Sequence, residues 1–288
     1  DGSDLILHAN NGVILSTGGF AGNVELRQKY NTSGKWEDLG PDVPTTNMPG
    51  VTGDGIEMSS KAGADLIDMD LIQLLYLSIP KSGALTGVYD LGAENTIFVN
   101  EEGNRFVRED GRRDVICKAI FEQPEGLMYM IHSADVLPDP ENAETLEGVP
   151  MSDVLENHLY GWQSGETLDE LAENISVPAE NLKASVDKYN AAVDAGKDEF
   201  GRELLTKKFE NGPWYALPRV PAVHHTMGGV RIDTNCHALN KDGEVIEGLY
   251  AAGELAGGIH GGNRLGGNAV VDTVVFGRIA GTSAAKAE

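Results

Sequence analysis

Apolar side chains recur at three- and four-residue intervals in several stretches of the chain, a pattern typical of amphipathic helices. The spacings from Leu182 through Val186 and Tyr189 to Val193 are 4, 3 and 4, and Gly196 predicts the end of that helix. Thr167-Leu-Asp-Glu170 fits a capping box and predicts the start of a shorter helix just before it. The other predicted helices are 23–30, a short one from 54, 113–121, and 268–286.

Short apolar runs beside turn residues predict β-strands. Asn10-Asn11-Gly12 lies between two such runs, 5–9 and 12–16, and a sequence of this kind is typical of a hairpin turn. A second hairpin is predicted over 97–107, turning at 102–104. The remaining predictions are strands at 229–233 and 248–252 flanking a polar hairpin at 241–243, and a polar, proline-bearing surface excursion over 134–153.

Glycine is the most unusual feature of the composition. The chain has 36 glycines in 288 residues, well above the usual ~7%, and they concentrate in 18–22 and 228–267. Near the end, a strand, a glycine-rich loop (257–267) and a long helix follow one another, an order typical of backbone that binds a cofactor at a helix N-terminus. The spacing is not that of a GxGxxG fingerprint, so a purely structural glycine loop stays open as the alternative.

Composition and charge narrow the function classes. Hydrophobic residues make up 41% of the chain, enough for a substantial core, which excludes wholesale disorder. The net charge of −23 would repel phosphate backbones and anionic lipid, so no nucleic-acid or membrane partner is expected. No apolar run approaches the ~18 residues of a spanning helix. Cys117 and Cys236 are too few for a disulfide framework and are expected to be buried thiols.

Three motifs in the last third resemble those of fumarate-reductase-type flavoproteins, a family that includes urocanate reductase. They are His224-His-Thr-Met-Gly-Gly-Val230, Gly248-Leu-Tyr-Ala-Ala-Gly-Glu254 and Gly257-Gly-Ile-His-Gly-Gly-Asn-Arg-Leu-Gly-Gly-Asn268. The similarity continues upstream through Val99-Asn-Glu-Glu-Gly-Asn-Arg-Phe106, Arg112-Arg-Asp114 and Ser16-Thr-Gly-Gly-Phe20. It follows the order of the family along essentially the whole chain.

The resemblance implies a fold of the α/β plus α+β class: a partial FAD-binding, glutathione-reductase-like domain with an inserted α+β capping domain. Residues 1–70 and 225–288 would form the FAD-binding domain and 71–224 the capping domain, with the substrate between them. The chain is expected to lack the βαβ unit that carries the family's dinucleotide fingerprint, and so to be the C-terminal two-thirds of the enzyme.

The family transfers a hydride from reduced flavin to one carbon of an activated C=C bond and a proton to the next carbon. By resemblance, the proton-donating arginine is Arg113. Because an arginine has a pKa above 12, carboxylates would have to relay protons to it, and Glu109 and Asp114 are near in sequence. An ordinary surface ion pair is the alternative for Arg113. The resemblance also assigns His224 and Arg264, with Gly267, to binding of the substrate carboxylate.

The flavin contacts implied by the resemblance fall on two sides of the cofactor. Backbone amides at Ala269 and Val270 would face the polar edge of the isoalloxazine ring, where the positive end of the 268–286 helix stabilises negative charge. A turn role between two glycines is the alternative for Asp54. The remaining FAD-binding candidates are Thr17, Gly18, Gly19, Asp54, His225 and Glu254.

The positions that set the substrate depart from the fumarate pattern. Fumarate reductases have Gln-x-His at the first position and Thr-Glu before a basic residue at the second; this chain has Gln73-Leu-Leu-Tyr76 and Thr86-Gly-Val-Tyr89-Asp90. Tyr76 and Asp90 are the candidate substrate residues, an exchange that resembles urocanate reductase. Aspartate would pair with a cationic group and repel a second carboxylate, so fumarate is disfavoured. Simple packing of both residues in the capping domain remains open.

The expected function is therefore an FAD-dependent reductase of an α,β-unsaturated carboxylate, urocanate-like or another enoate. Two alternatives remain: a flavin dehydrogenase acting in the oxidative direction, and a non-catalytic fragment that lacks its nucleotide-binding unit. The electron donor (a haem, an FMN domain or a redox protein) is expected to lie outside this chain. The resemblance makes an extracytoplasmic location plausible without fixing the compartment.

Overall fold

The computed structural model describes residues 4–287, which form two compact units. Unit 1 comprises Asp1–Asp42, Asn47–Gln73 and Val223–Glu288, and unit 2 comprises Val43–Thr46 and Leu74–Ala222. Unit 1 contains a three-stranded sheet and the two-stranded sheet of residues 66–67 and 229–230, unit 2 is built on a five-stranded sheet, and each unit has its own buried residues.

The described residues form seven α-helices and ten β-strands. In chain order the α-helices α1 to α7 are Val24–Tyr30, Asp54–Lys61, Arg113–Phe121, Met151–Glu156, Leu168–Asn174, Ala179–Ala195 and Asn268–Lys286. The strands β1 to β10 are Val13–Leu15, Leu66–Ile67, Ile72–Ser78, Ile97–Val99, Met128–Ser133, Gln163–Gly165, Trp214–Thr226, Gly229–Val230, His237–Leu239 and Val245–Ala251.

In the three-stranded sheet of unit 1, one prediction made from the sequence is wrong. Residues 5–9 and 12–16 do not form a hairpin: the first run has no regular structure, with Leu5, Ile6 and Leu7 exposed by 80% or more. β1 instead pairs in parallel with β10, which pairs antiparallel with β9. At Gly12 the chain comes so close to Gly248 that a Cβ would lie 2.5 Å from its carbonyl oxygen. The Asn-Gly pair thus lies where the chain closely approaches β10, and it does not form a hairpin turn.

The helices of unit 1 begin where the sequence predicts. Asn23 caps α1 by accepting a hydrogen bond from the Leu26 amide at 3.1 Å. Gly53 precedes α2 in the left-handed conformation (φ 83°), and Gly267 precedes α7 in the same way (φ 82°). In the last third, β8 is shorter than the predicted strand 229–233, whereas β9 and β10 flank the predicted turn at 241–243.

Unit 2 is built on a sheet in the order β3-β7-β5-β4, with β6 also paired to β7. The β4–β5, β5–β7 and β6–β7 pairs are antiparallel. Two buried clusters cover the sheet. One contains Phe98, Ile116, Met130 and Trp162, and the other is formed largely by α5 and α6.

The predicted caps of α5 and α6 are confirmed. Thr167 accepts a hydrogen bond from the Glu170 amide at 3.2 Å, and the Glu170 side chain accepts one from the Glu166 amide at 2.9 Å. Gly196 ends α6 in the left-handed conformation (φ 61°). Helix α3 has the predicted bounds, and the predicted turn at 102–104 is present, although only one bridge, Val99 to Arg105, extends the hairpin beyond it.

The stretch 134–153 is less of a surface excursion than its polarity predicts. Val136, Leu137 and Met151 are each no more than 7% exposed, and α4 begins within it. The polar residues between these anchors misled the prediction. Both cysteines are buried free thiols, as expected.

Two features are absent from residues 4–287. Within that range no helix combines the length and apolar character that crossing a membrane requires. The same residues contain no group of three or more His, Cys, Asp or Glu side chains arranged to hold a metal ion.

Candidate active site

A glycine turn after β1 packs against the end of β7 in unit 1. Gly18 has a φ of 84°, and Gly19 is buried against Thr226 and Glu254. A Cβ on Gly19 would lie 2.0 Å from Thr226 Oγ1 and 2.5 Å from Glu254 Oε1, so only glycine fits there. Thr226 donates to Glu254 Oε1 through its amide (3.0 Å) and its hydroxyl (3.1 Å). Two of the predicted FAD residues, Gly19 and Glu254, are thereby brought together.

His225 and Glu254 form a buried pair. His225 Nδ1 lies 3.2 Å from Glu254 Oε2, and His225 is only 3% exposed. Burial opposes ionisation of Glu254, but hydrogen bonds from His225 and Thr226 outweigh it and hold the pKa of this carboxyl below its ordinary value. The other ring nitrogen of His225, Nε2, is buried without a hydrogen-bond partner among the described residues. Such an atom is typical of a side chain that meets a bound ligand.

A second histidine–carboxylate pair lies beside the first. His260 Nε2 is 3.0 Å from Asp272 Oδ2, and the His260 ring meets the His225 ring edge-on with centroids 5.3 Å apart. His260 lies in the glycine-rich motif 257–268, but neither His260 nor Asp272 was predicted as a site residue. The spacing of twelve residues from a loop histidine into the first turns of a helix could have signalled the pair.

The loop before α7 leaves its backbone accessible. Gly267 has no side chain to cap the helix, so no cap side chain accepts from the amides of the first turn. A Cβ on Gly261, Gly262 or Gly267 would meet no atom within 4 Å. Ala269 is half-buried and Val270 is 68% exposed. The accessible N-terminus of α7, a helix of 19 residues, suits a polar, electron-rich ring edge.

Arg264 is fixed by a residue whose role the sequence analysis did not assign. Gln73 Nε2 donates to the Arg264 carbonyl at 2.8 Å and to Asn263 Oδ1 at 2.7 Å, and Gln73 is 1% exposed. The Arg264 guanidinium is 6% exposed and donates to the Leu265 carbonyl. The glutamine of the Gln73-Leu-Leu-Tyr76 motif thus positions the loop that carries a predicted carboxylate ligand.

The other predicted residues of unit 1 lie nearer the surface. His224 is half-buried, and its carbonyl accepts from Asn47 Nδ2 at 3.0 Å. Thr17 and Asp54 are exposed, and the Asp54 carboxylate accepts from the Thr52 hydroxyl at 2.6 Å. A Cβ on Gly55 would lie 2.2 Å from Thr17 Oγ1, so Thr17 and the first turn of α2 are neighbours.

Arg113 and Tyr76 are neighbours in unit 2. Arg113 is the first residue of α3, and its Nη1 is buried with no hydrogen-bond partner among the described residues. Tyr76 packs on Phe98 with ring centroids 5.5 Å apart. Burial and the neighbouring Cys117 raise the pKa of Tyr76 to about 12 against the opposing charge of Arg113. The predicted proton donor and one predicted substrate residue are therefore close to each other.

Asp90 has its carboxylate occupied within its own turn. Oδ1 accepts from the Gly92 amide at 2.5 Å, and Oδ2 accepts from Asn95 Nδ2 at 2.6 Å. These bonds make an Asx-type turn that shapes residues 90–95. Its assignment as a substrate residue stays a prediction.

The two carboxylates considered as proton relays have strong partners of their own. Glu109 is 1% exposed and pairs with Arg105 at 2.9 Å and Arg202 at 3.1 Å. Asp114 pairs with Arg112 at 3.0 Å. Both carboxylates therefore form ion pairs with arginines.

Comparison with known proteins identifies a family and several relatives. A family model described as an FAD binding domain matches residues 1–270. An NADH:acrylate oxidoreductase of Vibrio harveyi is 49% identical over 287 residues, and a urocanate reductase of Eggerthella lenta is 41% identical over 278 residues. These alignments cover 99% and 95% of this chain.

Among solved structures, the open conformation of a flavocytochrome c3 fumarate reductase matches 96% of this chain with a TM-score of 0.75 and 35% identity. The chain spans less than half the length of these proteins: 28% of the acrylate oxidoreductase, 44% of the urocanate reductase and 46% of the flavocytochrome chain.

Proposed function

Because the chain belongs to the FAD-binding flavoproteins of the fumarate and urocanate reductase type, we propose that it provides the substrate site of an enzyme that reduces the C=C bond of a small α,β-unsaturated monocarboxylate. The observation that carries this proposal is that Arg113, whose buried Nη1 has no hydrogen-bond partner among the described residues, lies near Tyr76, whose hydroxyl is kept neutral by burial. A proton donor beside the uncharged side chain of Tyr76 suits an unsaturated acid that carries no second charge at the end remote from its carboxylate.

Residues of unit 1 are suited to hold FAD. The left-handed Gly18 and the buried Gly19 let backbone approach a ligand closely, and the uncapped amides of α7 suit a polar ring edge. The unsatisfied Nε2 of His225 offers one more polar contact. We assign unit 1 to the FAD-binding domain and unit 2 to the capping domain of the family. FAD, when bound, supplies the hydride for the reduction.

Proton and charge chemistry falls to this chain's own side chains. His224 and Arg264 bind the substrate carboxylate, and a guanidinium presents a planar fork for its two oxygens. Arg113 delivers the proton to the carbon that does not receive the hydride. Its position at the start of α3 is fixed by the helix, while Tyr76 remains protonated at neutral pH because its pKa is about 12.

The substrate class follows from Asp90 and Tyr76. Each oxygen of Asp90 accepts a hydrogen bond within the turn of residues 90–95, which holds the carboxylate against its own backbone, so we do not assign it to a cationic imidazole. No lysine or arginine occurs between Lys81 and Arg105 to bind a second substrate carboxylate. An acrylate-like substrate therefore fits better than urocanate or fumarate, in agreement with the name of the relative that is 49% identical.

The test compares substrates on the FAD-loaded protein, with reduced methyl viologen as the source of electrons. We expect kcat/KM for acrylate to exceed that for urocanate and fumarate by at least about tenfold, equivalent to about 1.4 kcal/mol of transition-state binding. Each acid should be assayed over the same concentration range, with saturated propionate as the control that accepts no electrons. Faster reduction of urocanate than acrylate would contradict the proposed substrate class, and reduction of none of the three would contradict the proposed function.

A further inference from the structure

Four backbone polar groups of residues 86–88 in unit 2 are hydrogen-bonded to surrounding residues. The Thr86 carbonyl accepts from Arg219 Nη2 at 2.7 Å, and the Gly87 carbonyl accepts from Trp162 Nε1 at 2.7 Å. The Gly87 amide donates to Glu147 Oε2 at 3.0 Å, and the Val88 carbonyl accepts from the Leu146 amide at 2.9 Å. This short segment has no strand or helix of its own and depends on these contacts for its conformation.

Arg219 is an unusual partner for a loop. Its side chain is fully buried, and it donates to three backbone carbonyls, those of Thr86, Tyr160 and Pro218, with no carboxylate of residues 4–287 in hydrogen-bond contact. Burial lowers the pKa of Arg219 to about 10, with only the charge of Glu147 opposing the change. Burying a cation without an anionic hydrogen-bond partner costs free energy. Here the buried guanidinium of Arg219 holds three backbone carbonyls in fixed positions.

Packing restricts the same segment. Gly87 has a φ of 75°, and a Cβ there would lie 2.3 Å from the ring of Tyr160. Tyr160 itself is left-handed, with a φ of 57°. Trp162 is fully buried and stacks on His132 with ring centroids 5.5 Å apart, which holds the indole in place under Gly87. Residues 146–162, predicted as a surface excursion in part, thus enclose the segment on one side.

We propose that Glu147, Trp162 and Arg219, here called the clamp, are positioning residues that fix the backbone of Thr86–Val88 and thereby set the enzyme's preference among unsaturated acids. The inference rests on the proposed function, in which the residues just after this segment and Tyr76 determine the substrate class. The clamp acts through backbone, so it contributes to selectivity without touching the substrate. Residues that carry no sequence signature of a binding site would then govern which acid is reduced.

The experiment uses Glu147, which is exposed and can be changed without opening the core. In the FAD-loaded protein, Glu147→Ala removes the acceptor of the Gly87 amide, whereas Glu147→Gln retains an amide oxygen at the same place. Glu144→Ala is the matched control, three residues away on the same stretch and equally exposed. Two quantities are measured: hydrogen exchange of a peptide covering 84–92, and the ratio of kcat/KM for acrylate to kcat/KM for crotonate, which carries one extra methyl group.

We expect Glu147→Ala to accelerate exchange in that peptide at least fivefold and to change the acrylate-to-crotonate ratio at least fivefold. Glu147→Gln should restore both quantities to within twofold of wild type, and Glu144→Ala should leave both unchanged. Trp162→Phe, which removes the donor to Gly87 and part of the buried ring, should reproduce the change, with Trp214→Phe as the control for loss of ring volume.

Unchanged exchange in Glu147→Ala and Trp162→Phe would overturn the clamp. Faster exchange with an unchanged ratio would overturn its role in selectivity. If the wild-type protein reduces neither acid, the proposed function fails, and the inference that rests on it fails with it; an active wild type with unaltered variants rejects the inference alone.

Discussion

Unit 2 buries arginines in two places by different means. Around Glu109, two arginines and two carboxylates neutralise each other: Arg105 contacts Glu109 at 2.9 Å and Asp198 at 2.7 Å, and Arg202 contacts Glu109 at 3.1 Å. Beneath residues 86–88, Arg219 is equally buried but bonds only to carbonyls. The first arrangement balances charge in the core, whereas the second leaves a charge unbalanced and fixes a loop.

The difference shows in the acid–base behaviour of the two regions. Burial of Arg105 is outweighed by the hydrogen bonds that it donates to Glu109 and Asp198, which raise its pKa, while burial lowers the pKa of Arg219 to about 10. Tyr189 lies under both Arg105 and Arg202, with the guanidinium carbons 5.2 and 4.5 Å from its ring centroid. The comparison indicates that the neutral cluster contributes stability and the carbonyl-bonded arginine contributes position.

The largest expected effect comes from breaking the charge balance. Glu109→Gln leaves Arg105 and Arg202 buried with a single carboxylate between them, and we expect a loss of about 3–5 kcal/mol in the free energy of unfolding. Urea denaturation measures the change. The control is Glu57→Gln, which removes a partner from the exposed pair with Lys61 and should cost less than about 0.5 kcal/mol. Equal losses in the two variants would contradict the assignment of Glu109 to a buried, stabilising cluster.

A pH-dependent effect of intermediate size is expected beside Arg219. Burial lowers the pKa of His132 to about 4, with the Asn95 hydrogen bond and Asp90 opposing the shift and Arg219 adding to it. Because the unfolded histidine titrates near 6.5, the folded state gains stability above that pH and loses it as the pH falls from about 6.5 to 4. The loss attributable to His132 is about 3 kcal/mol.

Thermal or urea unfolding at several pH values measures this loss in wild type and in His132→Gln, with the exposed His8→Gln as the control. The stability of His132→Gln should depend less on pH between 6.5 and 4 than that of the other two proteins. The same slope in all three would show that His132 is not buried in its neutral form.

The smallest expected effect comes from a substitution that keeps the charge but changes the geometry in the cluster of Arg105, Arg202, Glu109 and Asp198. Arg202 also donates to the carbonyls of Thr96 (2.8 Å) and Ala93 (2.6 Å), contacts that a lysine cannot make together. Arg202→Lys keeps the charge, and we expect it to cost about 1–2 kcal/mol of unfolding free energy. Urea denaturation measures the loss. A loss below about 0.5 kcal/mol would mean that only the charge at position 202 matters, and a loss matching that of Glu109→Gln would mean that the geometry of the guanidinium matters more than its charge.

Local signals in the sequence predicted most of the helices. The capping residues Asn23 and Thr167 and the terminating Gly196 mark helix ends because each satisfies backbone groups within a few residues. The parallel pairing of β1 with β10 could not be predicted, since it joins residues more than two hundred positions apart. For the same reason the Asn-Gly pair at 11–12 indicated a hairpin that is absent.

The candidate site was predicted unevenly. Motif similarity predicted roles for side chains such as those of Arg113 and Arg264, and these roles stay predictions. It left out residues that act through another group, such as Gln73 beneath the Arg264 carbonyl and His260 beside His225. Asp90 illustrates the limit of an exchange read from sequence alone, because its carboxylate is already bonded within its own turn.

The central claim is that Arg113 supplies the proton for reduction of an enoate, and one measurement tests it directly. The protein with reduced FAD is mixed rapidly with acrylate, and flavin absorbance follows the reaction. The proteins compared are wild type, Arg113→Gln and the neighbouring Arg112→Gln, whose side chain is 69% exposed. We predict that Arg113→Gln slows the reaction about a thousandfold while Arg112→Gln stays within threefold of wild type. A rate for Arg113→Gln within tenfold of wild type would contradict the claim.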